Sequence, residues 1–124
     1  MKMGCRLLPV LCLGVLLTGC SALAPVPDGS QLIGTFQGQV WGGMDGPIQV
    51  QLYQAPNGDS VFSGQFASGG GVSYFRGTLL GNTLDGKVDM GLGTIRGQLS
   101  ADGSQMSGEL KLAQYQCTWS AGMQ

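Results

Sequence analysis

Residues 75 to 99 read FRGTLLGNTLDGKVDMGLGTIRGQL, and one order of residue types occurs in them three times: apolar, polar, glycine, polar, apolar. The three units are Phe75-Arg-Gly-Thr-Leu79, Leu84-Asp-Gly-Lys-Val88 and Ile95-Arg-Gly-Gln-Leu99. In an extended strand, residues two apart share a face. Each unit therefore turns its two apolar side chains and its glycine one way and its two polar side chains the other. A helix would need apolar spacings of three and four, and a glycine at the centre of every unit opposes helical propensity. The pattern predicts half-buried β-strands and almost no helix.

Outward from this stretch the unit recurs as Phe36-Gln-Gly-Gln-Val40, Phe62-Ser-Gly-Gln-Phe66 and Met106-Ser-Gly-Glu-Leu110, making six copies. Ile48-Gln-Val-Gln-Leu52 and Tyr115-Gln-Cys-Thr-Trp119 supply two further alternations. Turn residues stand between them at Asp45-Gly46-Pro47, Asn57-Gly58-Asp59, Gly69-Gly70-Gly71, Gly81-Asn82, the Gly91 and Gly93 pair, and Asp102-Gly103. The expected fold is all-β: a small antiparallel meander of about eight strands, closed or nearly closed into a barrel, with a β-sandwich as the rival. Glycine at the midpoint of an inward face reads as a curvature site. A barrel spanning the outer membrane is disfavoured. It needs strands of about 9 to 11 residues with an apolar outer band, whereas these units are shorter and turn Gln, Ser, Arg, Asp, Lys or Glu outward.

The N-terminus reads as an address. Residues 1 to 6 carry Lys2 and Arg6, residues 7 to 17 are an apolar run of eleven, and small residues follow, which is the order of a secretory signal peptide. Eleven helical residues rise only about 16 Å, roughly half a hydrocarbon core, so a permanent transmembrane helix is poorly supported. Leu17-Thr18-Gly19-Cys20 resembles the lipobox of bacterial lipoproteins. That resemblance implies cleavage before Cys20, lipidation of its thiol and usually acylation of its amine, and several acyl chains anchor firmly where one is marginal. It further implies a cell-envelope location. Ser21 in place of Asp favours the outer membrane, facing the periplasm, if the cell has two membranes. The organisation expected is a signal peptide over 1–19, a lipidated N-terminus and flexible spacer over 20–31, and the β-domain over 32–124.

On this reading Cys5 and Cys12 leave with the leader and Cys20 carries lipid, so only Cys117 remains and no internal disulfide can form. A buried, inert thiol is the expectation there. The processed chain keeps Arg76, Lys87, Arg96 and Lys111 against seven acids, a net charge of −3, and without clustered cations a nucleic-acid partner is not expected.

Chemistry is sparse. The sequence contains no His, which removes the commonest general base and metal ligand. Asp28, Asp45, Asp59 and Asp102 each adjoin glycine, where turn formation accounts for them, and Asp85 and Asp89 form no acidic pair suited to glycoside cleavage. Gly69-Gly70-Gly71 lacks the Lys-Ser/Thr and strand-to-helix setting of a phosphate loop. No catalytic residues, metal or cofactor are expected. Three residues are binding candidates. Arg76 and Arg96 occupy matching places in two units and, with Lys87 and Lys111, form an expected outward stripe suited to a protein or an anionic polymer. Trp41 is expected at a strand end, as a core plug or barrel-end cover more than as a binding anchor.

The function these features imply is non-enzymatic: a lipid-anchored envelope protein whose β-domain binds a protein partner. In architecture it is similar to small bacterial barrel lipoproteins that inhibit proteases or lysozymes, though without their disulfide. The alternative is a lipocalin-like carrier holding a small apolar ligand inside the barrel. An open interior of several hundred Å³ would favour the carrier and a filled one the partner-binding protein.

Overall fold

The computed structural model describes residues 26–69 and 71–124; the expected signal peptide over 1–19, the expected lipidation site at Cys20, and Gly70 lie outside the described residues. The described chain is a closed barrel of eight antiparallel strands in sequence order. They are β1 (Gln31–Trp41), β2 (Gly46–Gln54), β3 (Ser60–Ser68), β4 (Gly71–Leu80), β5 (Thr83–Val88), β6 (Gly93–Leu99), β7 (Gln105–Leu112) and β8 (Tyr115–Met123). One 3₁₀ turn, Asp89–Gly91, joins β5 to β6. β8 closes the ring by pairing with β1 from Phe36↔Met123 to Trp41↔Thr118. The barrel, not the sandwich, is therefore the fold.

Every repeat unit lies in a strand and faces as its alternation requires. Phe36, Val40, Phe62, Phe66, Phe75, Leu84, Val88, Ile95, Met106 and Leu110 are buried, with Leu79 and Leu99 packed against them. Trp119, 1% exposed, is the largest residue of this core, and its indole Nε1–H donates to the Arg96 carbonyl at 3.1 Å. Phe62 and Phe75 meet with ring centroids 6.2 Å apart and planes tilted by 55°, within the favoured range for aromatic pairs. Cys117 is buried and free.

The midpoint glycines act through space rather than through unusual dihedral angles, since none of the six has a positive φ. A Cβ on Gly38 would strike the Ser120 carbonyl, one on Gly77 the Asp85 carbonyl, and one on Gly108 the Arg96 carbonyl. Gly77 stands opposite Gly86, and Gly97 opposite Gly108, so at these two seams neighbouring strands close on each other without side chains between them. That approach coils the sheet tightly enough to shut with eight strands.

Two expectations need correction. Gly46 and Pro47 belong to β2, not to a turn, and the preceding connection is only Gly42 to Asp45. Proline fits there because β3 first pairs with β2 at Ile48, leaving no ladder bond on that side for the missing N–H. The strands, at six to eleven residues, also exceed the five-residue units: β1 to β4 and β8 reach the length of membrane-spanning strands and only β5, β6 and β7 fall short of it, so length alone does not decide the matter. The direction of the faces does: the apolar residues fill the interior and the polar ones face out, the reverse of an outer-membrane barrel.

Candidate functional site

A filled, closed barrel leaves its outer surface to carry function. At the near end, where the chain enters β1, lie the connections Ala55 to Asp59, Gly81 to Asn82 and Ser100 to Ser104, together with the C-terminal Gln124. The far end carries the turns after β1, β3, β5 and β7.

The far end is rimmed with exposed apolar side chains: Trp41, Val72, Met90, Leu92 and Tyr115. Met90 is 94% exposed and sits in the left-handed region at φ 63°, as does Ala113 in another far-end turn at φ 53°. A non-glycine residue there costs roughly 1 to 2 kcal/mol, so the turn that lifts Met90 into solvent is held against a local preference. The Trp41 expectation is corrected on one point. The residue does stand at a strand end, but at 46% exposure it plugs nothing, and Trp119 occupies the core instead.

Arg76, Lys87, Arg96 and Lys111 all point outward, on β4, β5, β6 and β7, but they do not form one stripe. Arg76 faces Lys87 across the ladder, and Lys87 is followed by Thr94 and then Lys111 in the same row. Arg96 lies in the next row, between Asp85 and Glu109, with its Nε 3.5 Å from Asp85 Oδ1. Both partners of that pair are well exposed, so it contributes at most about 1 kcal/mol. Acids in the second row thus offset part of the charge that the sequence alone had assigned to a continuous cationic surface.

The opposite wall differs in kind. β8, β1, β2 and β3 are consecutive around the ring and contain no Asp, Glu, Lys or Arg. Gln37, Gln49 and Gln65 stand in direct cross-strand register on its outer face, and Tyr74 of β4 continues their row. A cleft of about 460 Å³ opens here, lined by Gln37, Gln39, Gln49, Gln65 and Pro47 among others. Nearer the near end, Tyr53 lies across the outward Ser63, which is only 1% exposed, and donates from its hydroxyl to Gln51 Oε1 at 3.3 Å. Burial pushes the Tyr53 phenol above the usual tyrosine range, partly offset by the Ser63 hydroxyl beside it.

Reading the sequence found neither the far-end rim nor the glutamine row. The signal for the second was present: Gln recurs at outward positions from Gln37 to Gln65, where Asp45 and Asp59 are the only charged residues. Among the described residues, no group of three or more His, Cys, Asp or Glu is placed to hold a metal ion. No protein-family model matches the chain, and the searches found no similar curated protein or solved structure.

Proposed function

We propose that this protein is a non-enzymatic, lipid-anchored component of a bacterial cell envelope that docks a protein partner on the far end of its barrel. The observation carrying the reading is Met90, held at positive φ with its side chain almost wholly in solvent, at the end of the barrel that also exposes Leu92, Val72 and Tyr115. The near end also exposes Leu32, Ile33, Leu80 and Met123, but a tether on Cys20 would join the described chain there and leave the far-end rim free of the anchor. The rim is thus the apolar surface left free to meet a partner, and aromatic and Met anchors supply much of the affinity of such surfaces. In a two-membrane envelope the anchoring membrane is the outer one, facing the periplasm. The carrier alternative needs an empty interior, and the interior of this barrel is occupied by Trp119, Phe36, Phe62, Phe75 and their neighbours.

The test has two arms. Cys20→Ala should abolish incorporation of labelled fatty acid, and undiminished labelling would refute the anchor. A photo-crosslinking residue at position 90, introduced in the native host, should trap a discrete protein adduct that the same residue at outward position 107 does not. No adduct at position 90, or equal adducts at both, overturns the docking surface.

A further inference from the structure

The charge-free wall is a second surface, which meets the far-end rim only at Trp41. All six charged strand residues, Arg76, Asp85, Lys87, Arg96, Glu109 and Lys111, lie on β4 to β7, and the remaining described acids lie in connections. Four consecutive strands without a charge are therefore a feature of this barrel rather than of strand surfaces in general, which usually carry charge for solubility. What the wall presents instead is amide. Among the described residues, the side chains of Gln37, Gln39, Gln49 and Gln65 make no hydrogen bond within the protein, although Gln49 and Gln65 are half-buried. Each amide can accept at its oxygen and donate two protons, so the cleft offers paired donors and acceptors with no net charge.

We propose that this wall binds an uncharged glycan. Phosphate and carboxylate ligands call for cations, which the wall lacks, whereas a sugar hydroxyl both donates and accepts, matching an amide on both counts. The row Gln37, Gln49, Gln65, Tyr74 repeats at the strand spacing of about 4.8 Å, close to the advance of one ring in an extended hexose chain. An aromatic surface for the apolar face of a sugar ring is also present. Trp41 lies two residues beyond Gln39 on the same outer face of β1, half exposed, and Tyr74 closes the other side of the row.

The experiment uses the intact protein, ¹⁵N-labelled and held in a sugar-free zwitterionic detergent. It is titrated with maltohexaose, cellohexaose, xylohexaose and the hexamer of N-acetylglucosamine, and in a parallel arm with an uncharged extended Ser/Gln peptide. At least one sugar is expected to shift the side-chain amides of Gln37, Gln49 and Gln65 and the Trp41 indole saturably. The shifts should persist unchanged at high salt, because no charge is engaged. The double variant Gln49→Ala, Gln65→Ala should weaken binding about tenfold or more with an unaltered circular dichroism spectrum, and Trp41→Ala should do likewise, while Lys87→Ala on the charged wall should not. The proposal is overturned if no sugar in the panel gives saturable shifts, if only the peptide does, or if binding collapses with salt or survives the glutamine variants. None of these results bears on the crosslink at position 90.

Discussion

Gly97 and Trp119 are fitted to each other along the inner wall of the barrel, on either side of Gly108, which pairs with both. A Cβ on residue 97 would lie 2.8 Å from Trp119 Cζ2 and 2.6 Å from the Ser107 carbonyl oxygen, and the same indole donates from Nε1 to the backbone of Arg96, the residue before the glycine. The ring is therefore located by a hydrogen bond and seated on the space that a missing side chain leaves. Gly97→Ala should overpack the core and cost about 1 to 3 kcal/mol, lowering the midpoint of thermal unfolding by roughly 5 to 15 °C. Gly71→Ala, at a position with open space around it, should stay within about 0.5 kcal/mol of the parent. Thermal melts followed by circular dichroism compare the two, and equal melting temperatures would show that both the indole and the Ser107 carbonyl give way at little cost.

Trp119→Phe tests the other half of the relationship. It keeps an aromatic in the core but removes the Nε1–H donor and part of the ring, leaving the Arg96 carbonyl without that bond. The expected cost is about 2 kcal/mol, the sum of a modest hydrogen bond and a small cavity, measurable by urea denaturation.

The strands and their faces were legible because alternation is a local signal: a unit such as Leu84-Asp-Gly-Lys-Val88 states which side chains are buried without reference to any other strand. What the glycines do was only half legible. That they bend the sheet followed from their place on an inward face, but that Gly77 meets Gly86 and Gly97 meets Gly108 depends on register, which is set by the turns. The glutamine row is hidden for the same reason. Gln37, Gln49 and Gln65 belong to three different strands and align only when those strands are paired. Trp41 and Trp119 show the limit of reading by residue type. Both end an alternating stretch, yet Val40 points inward and so directs Trp41 out, while Trp119 shares the inward parity of Cys117. The exposure of Met90 depends on a turn with two successive left-handed residues, Met90 and Gly91, of which turn preferences point to the glycine but not to the methionine.

Asp102 makes the turn before β7 dependent on pH. Its Oδ1 accepts from the Ser100 and Ser104 hydroxyls at 2.7 and 2.8 Å and from the Ser104 amide at 3.0 Å, and these bonds, those of Ser100 and Ser104 foremost, lower its pKa to about 2. A carboxylate whose folded pKa is depressed stabilises the fold above its unfolded pKa, and the contribution is lost as pH falls through the folded value. Stability should therefore decline between about pH 4 and pH 2 in the parent, and the decline should be shallower in Asp102→Asn, which has no proton to bind. Chemical denaturation repeated across that range decides it; identical slopes in both proteins would remove Asp102 from the acid response.

Cys117 should be unreactive in the folded protein. At 1% exposure it packs inside the barrel between strands that must separate before a reagent can reach its sulfur. A thiol-specific chromogenic reagent should label it only as fast as the protein unfolds, with labelling complete in denaturant. Cys117→Ser should cost about 2 kcal/mol, because it buries a hydroxyl among apolar neighbours, and Cys117→Ala about 1 kcal/mol for the smaller loss of packing. Rapid labelling under native conditions would mean that the β8 seam opens far more readily than its pairing on both sides implies.

Arg76 and Lys87 form a directly opposed pair of like charge, an arrangement that destabilises a sheet locally. Asp85, the nearest acid along β5 on the same face, is engaged by Arg96 from the other side, so the two cations share little neutralisation. Lys87→Gln should therefore raise stability by a few tenths of a kcal/mol at low ionic strength despite removing a charge from a protein surface. The gain should shrink toward zero in about 1 M salt, where the screening length falls to roughly 3 Å and the parent loses the same repulsion. Denaturant melts of the two proteins at low and high salt measure the difference. A stability that fell on substitution, at either salt concentration, would mean that Lys87 is paired more favourably with Asp85 than it is opposed by Arg76.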